Sequence, residues 1–327
     1  MRIGKISENI LKRSVLRLIK NHREEVIKGA EVGGDCAFLT WGKAQEMSAL
    51  STQTIVFPVK KAGYLAVMAA CNNLEAEGAR PVAVMLSLVL PEESQEDLLK
   101  EIMNQAEMCC NALQIQIAGG HTEVSPAVKC PVITATAIGE TQGILRAEKS
   151  NSPVMDIVMS KWAGLEGTVI LAEEKEKELS GRFPIYLVDK AKRCEACLSV
   201  ASEAAIALKS GVYAMHDVRS GGIFGALWEL SRKIDVGLSV NLREIPIRQE
   251  TIEICELFGL NPYELLSGGS LLMVTENGGR LKMELESEGI PASVIGRTNG
   301  GNDKIVVNQD ETRYLTMPAA DEIYKIF

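Results

Sequence analysis

Residues 117–126 read IAGGHTEVSP and residues 215–222 read MHDVRSGG, and each sets paired glycines beside polar side chains at the end of an apolar run. A Gly-Gly step reaches positive φ and carries no Cβ, so it can turn sharply and aim backbone N–H groups at an anion, while a neighbouring carboxylate holds the anion's magnesium. A single isolated pair of this kind reads more readily as a tight turn. Two such segments weaken that reading and make a phosphate site the leading one.

The 327 residues, 46% hydrophobic and 24% charged, suit a two-domain globular protein with sizeable cores. A net charge of -8 disfavours general binding to nucleic acid or to anionic membrane, both of which call for a basic surface. The most apolar stretch, PVAVMLSLVLP at 81–91, is too short to span a bilayer, and no apolar signal core follows the basic N-terminal residues, so the expected location is the cytoplasm. Eight scattered cysteines then read as reduced thiols. The single CxxC, Cys194 and Cys197, lacks the further ligands a structural zinc needs, and its helical setting does not fit a thioredoxin-like role.

Periodicity predicts helices from Ser7 to about residue 20, at 62–77 and from beyond Pro91 to about Asn111, with strands at 80–90, 113–118 and 131–138. The turn formers at 150–153 mark a domain boundary, giving domains 1–152 and 153–327. In the second, strands are expected at 155–160, 167–171, 237–241, 270–275 and 292–297, with helices at 188–209, 222–233 and 278–288. Helices and strands alternate in both halves, but spacing alone leaves open whether the sheets are parallel, mixed or antiparallel.

Seven motifs in order, GKISENIL (4–11), GGDCAFL (33–39), NNLEAEGARP (72–81), IAGGHTEVSP, AGLEGT (163–168), MHDVRSGG and LLSGGSLLMV (265–274), resemble the aminoimidazole ribonucleotide (AIR) synthetase superfamily. The likeness is to its AIR synthase-related, HypE-like branch. It implies a PurM-like two-domain α/β (α+β) fold, in which the N-terminal domain forms a β-barrel with that of a second copy and an α+β domain follows. It also implies a homodimer that binds ATP in a groove between the domains, with Mg2+, or Mn2+ in its place. The family's chemistry is ATP-dependent phosphorylation of an oxygen on a small molecule, often an amide-like or carbamoyl-like group. A hard cation serves that chemistry because it neutralises phosphate oxygens and favours carboxylate ligands.

Transferred residue by residue, the resemblance makes Asp35 and Asp217 the candidate metal ligands and, with His121, the candidate catalytic residues. Lys5, Gln53, Asn73, Gly119, Gly120, Glu123, Arg219, Gly221 and Gly222 become candidate nucleotide-binding residues. Gln53, Asn73 and His121 stand where many relatives carry aspartate, which opens the alternative of a nucleotide-binding scaffold that has lost its magnesium ligands. Imidazole is a poor magnesium ligand and suits softer metals, phosphate hydrogen bonding or proton transfer. Glu166 in AGLEGT reads as structural, and Ser267–Gly269 as a tight approach before a buried strand, with a substrate role as the lesser reading. HypE itself carries a carbamoyl-accepting terminal cysteine, whereas this sequence ends DEIYKIF with Cys255 its last cysteine, so cyanide synthesis by that route is not expected.

Overall fold

The computed structural model describes residues 3–41, 47–141, 154–318 and 320–327. They form two compact units, and the chain does not divide between them at one point. Arg23–Gly29, Asp35–Ile144 and Phe327 make one unit, while Met1–His22, Ala30–Gly34 and Leu145–Ile326 make the other. The turn formers at 150–153 lie outside the described residues.

The larger unit opens with α1 (Glu8–Ser14), which ends sooner than expected. A 3-10 turn, Leu16–Leu18, replaces its continuation after the β-branched Val15, and the side chain of Ser7 makes no capping bond.

The unit that follows is a six-stranded sheet covered by two helices. Its elements are β1 (Val26–Lys28), β2 (Ala37–Thr40), β3 (Met47–Ile55), α2 (Ala62–Ala76), β4 (Arg80–Leu90), α3 (Glu96–Leu113), β5 (Gln116–Val124) and β6 (Val132–Thr141). The strand order is β1-β2-β3-β6-β4-β5, antiparallel except for β4 with β5. Every residue of α2 but Glu75 is buried, because the helix is held between the sheet and α3; a helix covered on both sides needs no polar stripe. Gly63 permits that closeness, since a Cβ there would overlap the Ile102 carbonyl.

On the sheet's other face Thr52 bonds Thr136 at 3.1 Å and Thr54 bonds Thr134 at 3.0 Å, while Met85 and Ser87 stay exposed. The strand expected at 113–118 in fact runs to Val124, so Gly119 and Gly120 lie inside an exposed edge strand and form no tight turn.

The rest of the larger unit holds a seven-stranded mixed sheet of order β13-β12-β9-β11-β7-β10-β8. Its elements are β7 (Asp156–Ser160), α4 (Leu165–Glu174), α5 (Glu176–Ser180), α6 (Ile185–Arg193), α7 (Ala201–Ser210), β8 (Ala214–Val218), α8 (Gly222–Ile234), β9 (Gly237–Asn241), α9 (Gln249–Phe258), β10 (Ser270–Thr275), α10 (Gly278–Ser287), β11 (Ala292–Asn299), β12 (Lys304–Asn308) and β13 (Glu311–Tyr314). Ile223, Phe224, Leu227, Leu230 and Ile234 of α8 fill one core with Met155, Ile157, Leu238 and Leu272.

Two expectations fail here. Residues 167–171 belong to α4, because a short, fully buried apolar run has no periodicity to tell strand from helix. The helix expected at 188–209 is broken into α6, a 3-10 turn at Cys194–Cys197 and α7.

Candidate functional site

In the six-stranded unit, the side chains read as a magnesium site separate into two groups. Asn73 of α2 donates from Nδ2 to Ser51 Oγ at 2.8 Å, and that hydroxyl donates to the Asp35 carbonyl at 2.9 Å. Cys36 Sγ reaches the Asn73 carbonyl at 3.4 Å. An aspartate at 73 could not donate the first of these bonds, so the amide has a structural use of its own. The Asp35 N–H points at Glu77 Oε1, 3.4 Å away, and Lys28 Nζ lies 3.6 Å from the same wholly buried oxygen. Gln53, two residues beyond Ser51 on β3, shares its face of the sheet.

His121 is elsewhere. It pairs in register with Ser87, Ser87 with Thr134, and Thr134 with Thr54, which puts His121 on the face that α2 and α3 leave uncovered. There its Nε2 lies 3.1 Å from Glu123 Oε2, both side chains exposed. Gly119 and Gly120 precede them with φ of +154° each, and Gly120 sits so close to β4 that a Cβ would strike the Leu86 carbonyl. Gly120 is thus required by strand packing.

In the other unit, strand register brings the C-terminal ends of β7 and β8 and the start of β10 to one end of the sheet. The segment His216–Gly222 leaves β8 there. His216 is buried, its Nε2 3.3 Å from Glu229 Oε2 on α8, and Lys5 pairs with the other oxygen of that carboxylate. Burial acts to raise the Glu229 carboxyl, but the bonds from His216 and Lys5 outweigh it and hold it below the usual range.

Asp217 is buried one residue on, opposite Leu271 of β10. Arg219, expected to meet phosphate, is clasped by Glu166 of α4 through Nε–Oε2 at 3.1 Å and Nη2–Oε1 at 3.0 Å. Burial works to lower the Arg219 pKa, and Glu166 more than compensates, so the guanidinium stays charged. Gly268 leaves room for that clasp, since a Cβ there would overlap Glu166 Oε2.

Gly221 and Gly222, at φ +79° and +60°, open α8 as expected. The anion at this helix start is one of the chain's own. Asp321 Oδ2 accepts the Gly221 N–H at 2.7 Å, and Oδ1 accepts those of Leu266 at 3.2 Å and Ile323 at 3.0 Å. Burial raises the Asp321 carboxyl to about 6 despite these donors, and the nearby Glu166 adds to the rise.

Sequence reasoning singled out none of Glu77, Glu229 and Asp321: Glu77 lies in the motif at 72–81 but meets Asp35 of another motif, Glu229 stands 13 residues beyond His216, and Asp321 a hundred beyond Gly221. It also passed over Lys161, which has left-handed backbone at φ 53°. Its buried ammonium donates to the carbonyls of Cys197, Ser199 and Gly269 at 2.6–2.9 Å and pairs with Glu203. A lysine directly after the apolar run MDIVMS was the one available signal.

Among the described residues no group of three or more His, Cys, Asp or Glu side chains could hold a metal ion. No described helix is long and apolar enough to cross a membrane.

Comparison with known proteins agrees with the fold. A hydrogenase expression/formation protein of Methanocaldococcus jannaschii is 25% identical over 99% of this chain and 97% of its own. Carbamoyl dehydratase HypE of Rhodobacter capsulatus is 26% identical over 82% of this chain and 76% of its own. A solved structure of the hydrogenase maturation protein HypE in complex with ATP superposes with a TM-score of 0.69 at 20% identity, covering 97% of this chain and 96% of that one. Residues 33–141 match the AIR synthase related protein N-terminal domain and residues 156–308 its C-terminal domain, so the chain belongs to the AIR synthase related family, on its HypE-like branch.

Proposed function

We propose that this protein binds ATP and transfers its terminal phosphoryl group to an oxygen of a small amide-type or carbamoyl-type molecule. The observation that carries the reading is Asp217 beside the Gly221–Gly222 turn that heads α8, in a chain similar over 99% of its length to a hydrogenase expression/formation protein. A relative named carbamoyl dehydratase suggests the substrate class, and a HypE solved with ATP suggests the nucleotide. In the transfer, the bond from the γ-phosphorus to its bridging oxygen breaks as the bond to the substrate oxygen forms, and ADP leaves. Asp35 and Asp217 are the carboxylates proposed to meet Mg2+, or Mn2+, carried on the phosphates. His121 and Glu123 are proposed to meet the nucleotide or a second copy from the open sheet face. A cytoplasmic homodimer joined through that face completes the proposal.

A second reading, a nucleotide-binding scaffold without turnover, draws on a specific observation: Arg219 is clasped by Glu166, and the Gly221 N–H is given to Asp321. Melting the protein with ATP, with Mg2+ or Mn2+, and with both together separates the two. Ligand at a hundred times its Kd adds about 2.7 kcal/mol, a shift of several degrees. A shift that needs metal, together with ATP turnover lowered at least about tenfold in Asp35→Asn and in Asp217→Asn, supports catalysis. A shift indifferent to metal supports the scaffold, and unchanged turnover in both variants would remove these residues from the site.

A further inference from the structure

We propose that the C-terminal segment around Asp321 is an autoinhibitory strap, whose carboxylate fills the anion position at the start of α8 and has to leave before an anionic ligand can use that turn. Docking of the strap stands on its own geometry; its inhibitory consequence rests on the nucleotide reading of Gly221 and Gly222. Asp321 binds three backbone N–H groups from three separate parts of the chain: the β8–α8 turn, the segment before β10, and the strap itself. Pro318 lies across Gly221, within ordinary contact of where its Cβ would be. Glu322 ties the strap down a second time, accepting the Asn261 N–H at 2.9 Å, and Ile323 is fully buried. A helix of 13 residues presents the positive end of its dipole here, and the chain has supplied the counter-charge from a position a hundred residues away.

The titratable and charged groups that interact with Asp321 are Glu166 of α4, Arg219 after β8 and Tyr324 of the strap. Arg219 is already neutralised by Glu166, so the Asp321 charge is met mainly by backbone dipoles. The docked carboxyl, near 6, lies above its ordinary 3.8. The docked strap therefore binds a proton more tightly than a released one. Docking is firmest below the ordinary value and weakens as pH rises through about 6. The strap is held most loosely when Asp321 is ionised, the state in which an incoming phosphate would compete with it.

The test is amide hydrogen exchange at Gly221 and Leu266 in the full chain, corrected for intrinsic rates, beside calorimetric titration with ATP. Wild-type protection should fall about tenfold between roughly pH 5 and pH 7. Asp321→Asn, which cannot ionise and keeps one accepting oxygen, should lose protection at one of the two amides and hold the other with a profile flat in pH. Asp321→Ala should free both amides and bind ATP at least about fivefold more tightly. A flat wild-type profile overturns the strap, and so does Asp321→Ala with freed amides but unchanged ATP affinity, an outcome that leaves ATP binding itself intact. Absence of ATP binding in every form would overturn the nucleotide reading and the inhibitory role with it, while the exchange profile still judges docking. If Asp321→Ala fails to fold, the wild-type and Asp321→Asn profiles decide.

Discussion

Gly119 and Gly120 share one backbone conformation, φ +154°, yet their surroundings set different demands. A Cβ on Gly119 meets nothing within 4 Å, whereas one on Gly120 runs into the backbone of Leu86. Gly119→Ala should therefore cost only the conformational penalty, about 1–2 kcal/mol, and Gly120→Ala more than about 3 kcal/mol or the fold of the sheet edge. Urea denaturation of both variants measures the difference, and equal losses would mean that strand contact is not what fixes Gly120. The same residue-level reasoning applies to Asn73. Its amide donates to Ser51 inside a buried chain of bonds, so an amide at that position, where a carboxylate could not donate, follows from what the interior asks of it.

Among the α-helices of the described residues, α1 is held differently from the others. It buries none of its residues, and its attachment to α8 is polar: Glu8 accepts from Trp228 Nε1 at 3.3 Å and lies 3.1 Å from Arg232, with Lys5 paired to Glu229 nearby. Glu8 and Glu229 are largely covered while Lys5 is exposed, and pairs with one exposed partner contribute on the order of 1 kcal/mol each and weaken with salt. A roughly tenfold rise in salt should speed amide exchange in α1 while leaving α2 unchanged; equal protection of the two helices in high salt would contradict a polar latch.

How far each element could be read follows the same physics. α3 was legible because Leu98, Leu99, Ile102, Met103 and Ala106 repeat on one covered face while the other meets water. β4 and β10 were legible as compact apolar runs bounded by turn residues. α4 was not, since burial on all sides erases its period. For the site, the motifs gave Asp217 and the Gly221–Gly222 turn. Sequence could not show that Glu166 would reach Arg219 or that Asp321 would reach Gly221, because both contacts come from tertiary closure between distant segments.

For the whole molecule, the informative surface is the sheet face that carries Thr52, Thr54, Thr134, Thr136, Met85 and His121. Paired threonines and an exposed methionine on a long sheet suit burial against a second copy, which would also cover the edge strand β5. Met85→Lys should leave the monomer's stability nearly unchanged, since that side chain is half exposed, and weaken self-association by at least about tenfold. Sedimentation at micromolar concentration reads this directly. A variant that remains dimeric would move the interface elsewhere.

The way the chain is shared between its two compact units bears on how it is made. Residues 3–22 belong with a partner helix, α8, that is translated about 200 residues later. At 5–20 residues per second, roughly 10–40 seconds separate their arrival, time enough for the six-stranded unit to fold first. Docking on that helix leaves Ile3, Val15, Leu18 and Ile19 exposed, so what the segment awaits in that interval is its polar partners on α8. Residues 3–22 thus leave the ribosome well before the helix they join.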